Sequence, residues 1–414
     1  MAQELSPVAP RTAERTQVAG VVVAVALAVT NVLSYLLNVV AARSLSSAAF
    51  GELGSLLAVL VVGAVPAMGV QTVVALRVAG LGARRPADLD RRDAGPLVTV
   101  AAGAAGAIAL LLAATTPLIM MLLHLGGPAP VLLVTAAIAS ITVNGLFNGM
   151  LQGTRRFATL AVLIVADGVL RVGGTLTGLL TTGTATGALV GTAVGSLLLA
   201  GTGWLLCGRP LPGRPRRGLA VEVVHAAQAL LGLVLLVNLD LVLARHHLPA
   251  AEAGEYAVGA IITKIAYWLP YAIAVVVLPR LADPDTRRRV LPLALAFCAG
   301  LDALVVLGTA LLGPTIVTAI GGATYAESAV PLWAFALVGS ALSLVQLLLY
   351  ARIASADRRS TVLVWVAVTL EIVLVGFWLH DSLAEVVGAA VIATGALALA
   401  GLVIELRGRA ARRG

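Results

Sequence analysis

Charged and sulfur-containing side chains are scarce in this chain. Asp, Glu, Lys and Arg make up 12% of its residues, hydrophobic residues make up 60%, and mean hydropathy is +1.01. Soluble domains carry about 25% charged residues, so the composition excludes a water-soluble protein. The two cysteines, Cys207 and Cys298, lie far apart in the topology argued below, which predicts neither a disulfide nor a metal site. The sequence also lacks a Walker phosphate-binding loop, so ATP is not expected to drive its activity directly.

Long apolar segments separated by short loops occupy most of the chain. A helix needs about 20 apolar residues to cross roughly 30 Å of hydrocarbon. Segments of that length predict an all-α membrane protein with about 12 transmembrane helices. The first is too long for a cleaved signal sequence and should remain as a helix. The predicted spans are 17–41, 53–76, 97–121, 129–151, 158–181, 185–207, 220–244, 255–279, 291–313, 329–351, 361–379 and 384–405.

The arginines lie in every second loop. Positive charge resists translocation, so loops rich in arginine stay cytoplasmic. Most of the 28 basic residues fall on one side of the twelve predicted spans, together with both termini. We therefore expect a multi-pass protein of the bacterial plasma (inner) membrane with both termini in the cytoplasm. The arginines are dispersed over seven short loops without interleaved aromatic residues, so topology explains the net charge of +8 better than nucleic-acid binding does.

The two halves of the chain read as copies of each other. The sequence from Asn38 to Arg43 matches the sequence from Asp240 to Arg245, and a proline and a pair of arginines follow at corresponding spacing in both halves. Each copy holds six spans, so the halves are predicted to be parallel repeats that rock around a central site. The predicted organisation is a cytoplasmic tail (1–16), a six-helix bundle (17–207), a linker (208–219), a second six-helix bundle (220–405) and a basic cytoplasmic tail (406–414).

Four degenerate motifs in a fixed order carry a family resemblance. The chain resembles the multidrug/oligosaccharidyl-lipid/polysaccharide (MOP) exporter superfamily, and most of all its polysaccharide-biosynthesis flippase branch. The motifs are Asn38…Ala42-Arg43-Ser-Leu45…Phe50-Gly51 followed by Pro66…Gly69-Val-Gln71; Gly149-Met-Leu-Gln-Gly153-Thr-Arg-Arg156-Phe157; Asn238-Leu-Asp240…Gly254-Glu-Tyr256; and Trp333-Ala-Phe335…Gln346…Arg358.

This resemblance implies a flippase that moves a polyprenyl-diphosphate-linked oligosaccharide from the cytoplasmic to the outer leaflet by alternating access. Its implied partners are the lipid-linked sugar, membrane lipids, and glycosyltransferases and a polymerase of a surface polysaccharide pathway. No cofactor is expected. Because two halves already make a closed two-bundle unit, a monomer is expected as well.

Ionisable residues inside the predicted spans are the first candidates for cargo contacts, because such groups are costly in lipid and tend to face cavities or partners. Asp167 and Arg171 are spaced i,i+4 and share a helix face, so they form either a structural ion pair or a diphosphate site. Lys264, the only lysine, is followed by Tyr267, Trp268 and Tyr271, which together suit sugar and phosphate or pack between bundles.

Polar residues elsewhere complete the predicted set. Asn31, Tyr35 and Asn38 of the first span and Gln71 of the second are further expected cargo contacts. The candidates for ion coupling are Asp167, Asp240, His225 and Glu371. A structural interpretation stands beside each of these. Asp240 pairs with Arg245 or caps a helix, His225 marks a polar helix end, and Glu371 pairs across helices.

Other functions make different demands on the sequence. A cation-coupled multidrug exporter usually carries an acid in its first span, whereas this span offers only Asn31, Tyr35 and Asn38 as polar candidates. A membrane glycosyltransferase would need acidic residues on a large outer loop, and the longest one here, about 314–327, holds a single acid. An enzyme is therefore not expected. Small-molecule efflux and a non-transporting scaffold of the same fold stay open as alternatives.

Overall fold

Helices account for nearly all of the ordered backbone. The structure is a computed structural model that describes residues 10–83, 85–216, 218–268, 284–325, 328–353 and 359–410, and it contains no β-strand within those ranges. Eight helical stretches there are long and apolar enough to cross a membrane, and two shorter apolar helices accompany them. The prediction of an all-α membrane protein is confirmed.

The first half of the chain folds into nine helices. They run α1 (Pro10–Ser44), α2 (Ser47–Gly63), α3 (Val65–Leu81), α4 (Arg91–Ala114), α5 (Thr116–Leu123), α6 (Ala129–Gly153), α7 (Phe157–Asp167), α8 (Gly173–Thr182) and α9 (Ala185–Leu206). The second half, as far as it is described, folds into α10 (Leu219–His247), α11 (Ala250–Trp268), α12 (Pro284–Gly321), α13 (Leu332–Ile353), α14 (Arg359–Phe377) and α15 (Leu383–Ala410).

Within the described residues, three of the predicted spans are interrupted. Pro66 lies in the first turn of α3 and Pro117 in the first turn of α5, so each span divides there into two consecutive helices. A proline cannot donate the backbone hydrogen bond that an uninterrupted helix requires, which explains both breaks. The span that holds Asp167 and Arg171 is interrupted differently. A five-residue π-helical turn, Gly168–Val172, joins α7 to α8.

The two halves meet most tightly where α2 packs against α11. A Cβ atom on Gly254 would lie 2.0 Å from the backbone oxygen of Ser47, and one on Gly51 would lie 2.8 Å from the backbone nitrogen of Gly254. The Ser47 hydroxyl donates to the carbonyl of Ala251 at 2.6 Å. Both glycines lie one turn or two into their helices, at the end away from the arginine-rich loops. Glycine is thus required for the backbones to approach this closely.

Further contacts hold the halves together on that same side, the predicted outer side. Arg245 of α10 donates to the carbonyl of Leu123 at 3.1 Å, and the ring of His246 bonds the carbonyl of Leu122 at 3.0 Å. On the opposite side, which we call the arginine-rich face, Arg77 of α3 forms an ion pair with Glu222 of α10. The contacts on the predicted outer side join helix ends of both halves, so that side is closed in this conformation.

Candidate functional site

A cavity of about 550 Å³ lies between the two halves. Binding sites for small molecules are typically about 300–1,000 Å³ in volume. Helices of both halves line it, with polar groups set among leucine, valine and alanine. The polar and aromatic residues that define it, here called the central cavity, are Asn31, Ser34, Tyr35, Asn38, Arg171, Thr175, Thr192, Asn238, Lys264, Tyr267, Trp268, Gln346 and Trp365.

Arg171 reaches the central cavity from the π-helical turn. Its Nε and Nη2 atoms donate to the two carboxylate oxygens of Asp167, each at 2.7 Å. The side chains of both residues are 24% exposed. A bidentate pair of this kind fixes the plane of the guanidinium group and neutralises its charge. π-turns are found most often at functional sites. The extra residue in this turn changes which side chains of the helix face the cavity.

The neighbouring helix packs closely enough to hold this turn in place. A Cβ atom on Gly195 of α9 would lie 2.0 Å from the carbonyl oxygen of Leu170. The hydroxyl of Thr175 donates to the carbonyl of Arg171 at 2.7 Å, and the Thr175 and Thr192 hydroxyls lie 2.8 Å apart. Gly195 therefore allows α9 to pack closely against the irregular turn, and Thr175 satisfies one of its backbone carbonyls, as lipid-embedded structure demands.

Lys264 is the second cation of the central cavity and belongs to the other half of the protein. Among the described residues no carboxylate lies within 4 Å of its ammonium group, so it has no ion pair of its own. The hydroxyl of Tyr35 donates to the Lys264 carbonyl at 3.1 Å and ties α1 to α11 across the cavity. Arg171 and Lys264 line the cavity, whereas no acid of the described chain does.

Aromatic rings line the same cavity as the lysine. Tyr267 and Trp268 pack edge to face, with ring centroids 5.3 Å apart, and Trp365 of α14 lines the cavity as well. Such rings offer flat apolar surfaces with a polar edge, and their faces attract cations. The cavity therefore combines positive charge, neutral hydrogen-bonding groups and aromatic surface.

Three acids near the cavity do not line it. Asp240 is 2% exposed and accepts a hydrogen bond from the hydroxyl of Tyr256 at 3.0 Å. Its carboxylate interacts electrostatically with Lys264 and with Glu371. Glu371 is fully buried, and neither of its carboxylate oxygens has a hydrogen-bond partner among the residues that the structure describes. The third acid, Asp167, is engaged by Arg171. We refer to Asp240, Tyr256 and Glu371 as the buried acid cluster.

The structure places the other predicted site residues as follows. Asn31, Tyr35, Asn38 and Tyr267 line the central cavity together with Arg171 and Lys264. Gln71 does not line it, because its side chain donates to Gln152 at 3.1 Å between α3 and α6. Tyr271 lies outside the described residues.

His225 is exposed near the arginine-rich face, where its ring bonds the Val221 carbonyl at 2.8 Å, and it is remote from the buried acid cluster. Six polar or aromatic cavity residues escaped the sequence analysis as site candidates, namely Ser34, Thr175, Thr192, Asn238, Gln346 and Trp365. Asn238 and Gln346 lie within the four family motifs, and this position could have identified them as site candidates. Trp365 carried no such signal.

The chain is similar in fold to solved structures of MATE family transporters and of a lipid II flippase. The chain superposes on an inward-facing multidrug resistance MATE family transporter of the MOP superfamily with a TM-score of 0.73 and 15% identity, covering 92% of this chain and 95% of the other. It superposes on the lipid II flippase MurJ in an inward closed conformation with a TM-score of 0.73 and 14% identity, covering 94% and 87%.

An outward-facing MATE family transporter gives a lower TM-score of 0.61 at 15% identity, with 95% and 96% of the two chains covered. The sequence matches no protein-family model and no curated protein. The chain therefore has the fold of the MOP superfamily transporters.

Proposed function

We propose that this protein is a flippase that carries a polyprenyl-diphosphate-linked oligosaccharide across the plasma membrane for the synthesis of a surface polysaccharide. The observation that carries this proposal is that, among the described residues, the charged side chains lining the central cavity are both cations. Lys264 has no ion pair there, and Arg171 is paired with Asp167. A diphosphate is an anion, and an arginine fork matches phosphate oxygens in pairs.

The head group of such a lipid also needs surfaces for its sugars. The amide and hydroxyl groups of Asn31, Asn38 and Tyr35 are suited to sugar hydroxyls, and the Tyr267 and Trp268 rings to apolar sugar faces. The polyprenyl tail would stay in lipid while the head crosses between the halves. Lys264 and Arg171 belong to different halves, so one diphosphate held by both would couple cargo binding to their relative position.

Direction requires an energy source, and we propose the buried acid cluster as the coupling site. An ionised carboxylate buried without donors is costly, so Glu371 is suited to take up a proton or a cation when the conformation changes. Its neighbours Asp240 and Lys264 would transmit that charge change to the cavity. Asp167 was a candidate for ion coupling, but in this proposal it belongs to the cargo site, because it forms an ion pair with Arg171.

A cation-coupled efflux transporter for small molecules is the second candidate. It is favoured by the same buried carboxyl groups and by the likeness in fold to MATE family transporters. Such a transporter for cationic drugs would need its acids to face the cargo, whereas here the described acids do not line the cavity. We also propose that the protein works as a monomer, alongside glycosyltransferases and a polymerase, with both termini in the cytoplasm.

The test is lipid analysis of cells that lack the gene. We expect one polyprenyl-diphosphate sugar to accumulate and a surface glycan to disappear, and the wild-type gene should reverse both changes. Lys264→Arg should complement at least in part because it keeps the charge, whereas Lys264→Gln should not. If the lipid profile is unchanged while sensitivity to cationic drugs rises, the protein is an efflux transporter. If neither the lipid profile nor the drug sensitivity changes, the result favours a non-transporting scaffold.

A further inference from the structure

A second cavity, of about 400 Å³, opens at the arginine-rich face. It lies between the end of α3, the start of α4, the segment that joins the halves and the start of α10. We call it the arginine pocket. Its lining combines three arginines with one acid and several apolar side chains, namely Leu76, Arg77, Gly80, Leu81, Arg92, Asp93, Pro96, Leu97, Arg216 and Leu219.

The three arginines differ in their partners. Arg77 is neutralised by Glu222, whose carboxylate it contacts through both Nε and Nη2. The side chains of Arg92 and Arg216 make no ion pair or hydrogen bond among the residues that the structure describes. Two guanidinium groups therefore face one pocket with no ion pair to any described residue. Asp93 is the only acid in the lining.

The position of Arg216 is set by the backbone. The segment that carries it is bound to α4, because the Gly213 amide donates to the Gly95 carbonyl at 3.1 Å and the Thr99 hydroxyl donates to the Gly213 carbonyl at 2.7 Å. A Cβ atom on Gly213 would lie 2.8 Å from the Cα atom of Gly95. The arginine is thus held beside α4, near Arg92, by contacts that do not involve its own charge.

The pocket lies at the depth of lipid head groups. One apolar span ends at Leu81 and the next begins at Arg92, so the pocket occupies the level where hydrocarbon gives way to water. Leu76, in the lining of the pocket, is 71% exposed. Basic pockets between transmembrane helices on the cytoplasmic side are suited to anionic lipid head groups. Arginine is also the side chain best matched to phosphate oxygens.

We propose that the arginine pocket binds the phosphodiester head group of an anionic phospholipid through Arg92 and Arg216, with the acyl chains against Leu76 and Leu81. The bound lipid would lie beside the Arg77–Glu222 ion pair, which joins the two halves on this face. It would therefore stabilise the contact between α3 and α10. This site is separate from the central cavity and does not depend on the cargo proposed above.

The test compares charge-matched variants of the full-length protein. Arg92→Gln/Arg216→Gln removes two charges from the pocket. Arg155→Gln/Arg214→Gln removes two exposed charges that do not line it, and Arg214 lies on the same segment as Arg216. Each protein is placed in nanodiscs of phosphatidylcholine, alone or with phosphatidylglycerol. Retained lipids are counted by native mass spectrometry, and thermal unfolding is followed in parallel.

We expect the wild type and the Arg155/Arg214 variant to retain phosphatidylglycerol in preference to phosphatidylcholine and to melt at a higher temperature when it is present. The pocket variant should lose that preference, with affinity reduced about fivefold for each arginine removed. Equal losses in both variants, or no preference in the wild type, would overturn the proposal. Inorganic phosphate added to phosphatidylcholine nanodiscs must not reproduce the stabilisation; if it does, the pocket binds free anions and not lipid.

Both variants should melt at the wild-type temperature in phosphatidylcholine alone, because the substituted arginines have exposed side chains. A lipid effect is then separable from a folding defect. Neither readout involves transport, so this site stands or falls independently of the flippase proposal.

Discussion

Replacing Gly254 by alanine should open the predicted outer side of the protein. The added Cβ atom would lie 2.0 Å from the backbone oxygen of Ser47 and 2.4 Å from its hydroxyl oxygen. Ordinary van der Waals contact begins at 3.4 Å, so α2 and α11 must separate by about 1.4 Å where they now touch. The backbone oxygen of Ser47 is held by the start of α2 and cannot rotate away from the added methyl group as a flexible side chain could. The strain must therefore be relieved by moving one half against the other.

The expected magnitude follows from the cost of overpacking, which is about 1–3 kcal/mol for an added methyl group in a close-packed interface. The clash exists only while the outer side is closed. The full cost therefore shifts the equilibrium toward the outer-open state, by roughly 5- to 150-fold. Loss of the Ser47–Ala251 hydrogen bond at 2.6 Å would add to the shift.

Distances between spin labels across the outer side measure this population. Cysteines introduced at Ser46 and Ala251, both exposed, can carry the labels, and the native Cys207 and Cys298 are buried. Gly254→Ala should enlarge the population with the longer distance. Gly300→Ala is the matched control, because a Cβ atom there meets nothing within 4 Å. An unchanged distribution in Gly254→Ala, or an equal change in the control, would refute the argument that this contact closes the outer side.

Three further predictions concern charges. Asp167→Asn should leave Arg171 without a counter-ion and lower the free energy of unfolding by about 2.5–3.5 kcal/mol. The double variant Asp167→Asn/Arg171→Gln should recover most of this lost stability and still fail to transport. If the double variant does transport, the pair is purely structural. Glu371→Gln keeps the shape of a fully buried side chain, so this variant should fold normally. Its transport in proteoliposomes should no longer depend on pH. A variant that keeps the wild-type pH profile would show that Glu371 takes no part in coupling. The rings of His124, His246, His247 and His380 lie in a row with successive centroids 5.7, 4.7 and 4.8 Å apart, near Arg245 and Asp381. Neutral rings can stack, but imidazolium rings repel. Burial, together with the neighbouring His246 and His380 rings, lowers the pKa of His247, so the neutral ring is favoured while this side is closed. The closed outer side should therefore be populated at higher pH and lost as the pH falls, and spin-label distances in His247→Gln should respond less.

Some parts of the candidate site were predictable because they depend on one helix alone. The i,i+4 spacing of Asp167 and Arg171 is enough to bring their side chains together, and they do form a bidentate pair. Asn31, Tyr35 and Asn38 recur at helical spacing on one face of the first span and reach the same cavity. The π-helical turn between the paired residues left no local signal, because the packing of Gly195 against Leu170 maintains it.

Other parts depend on how each helix is rotated against its neighbours. Gln71 has the polarity of a cavity residue, yet it faces α6 and bonds Gln152 there. Glu371 and Asp240 are 131 positions apart in sequence, and only the packing of α14 against α10 makes their charges interact. Trp365 reaches the cavity for the same reason.

The sequence by itself determined that the protein lies in a lipid bilayer and that it is built of α-helices. The free energy of transferring a helix into lipid is a sum over about 20 consecutive residues, so composition and length are enough to identify an all-α membrane protein. Only the tertiary structure decided which polar groups face the cavity between the halves, which acids lie near it without lining it and which glycines allow the outer side to close. Those properties depend on contacts between segments far apart in the chain, where a rotation of one helix by a few tens of degrees exchanges one set of neighbours for another.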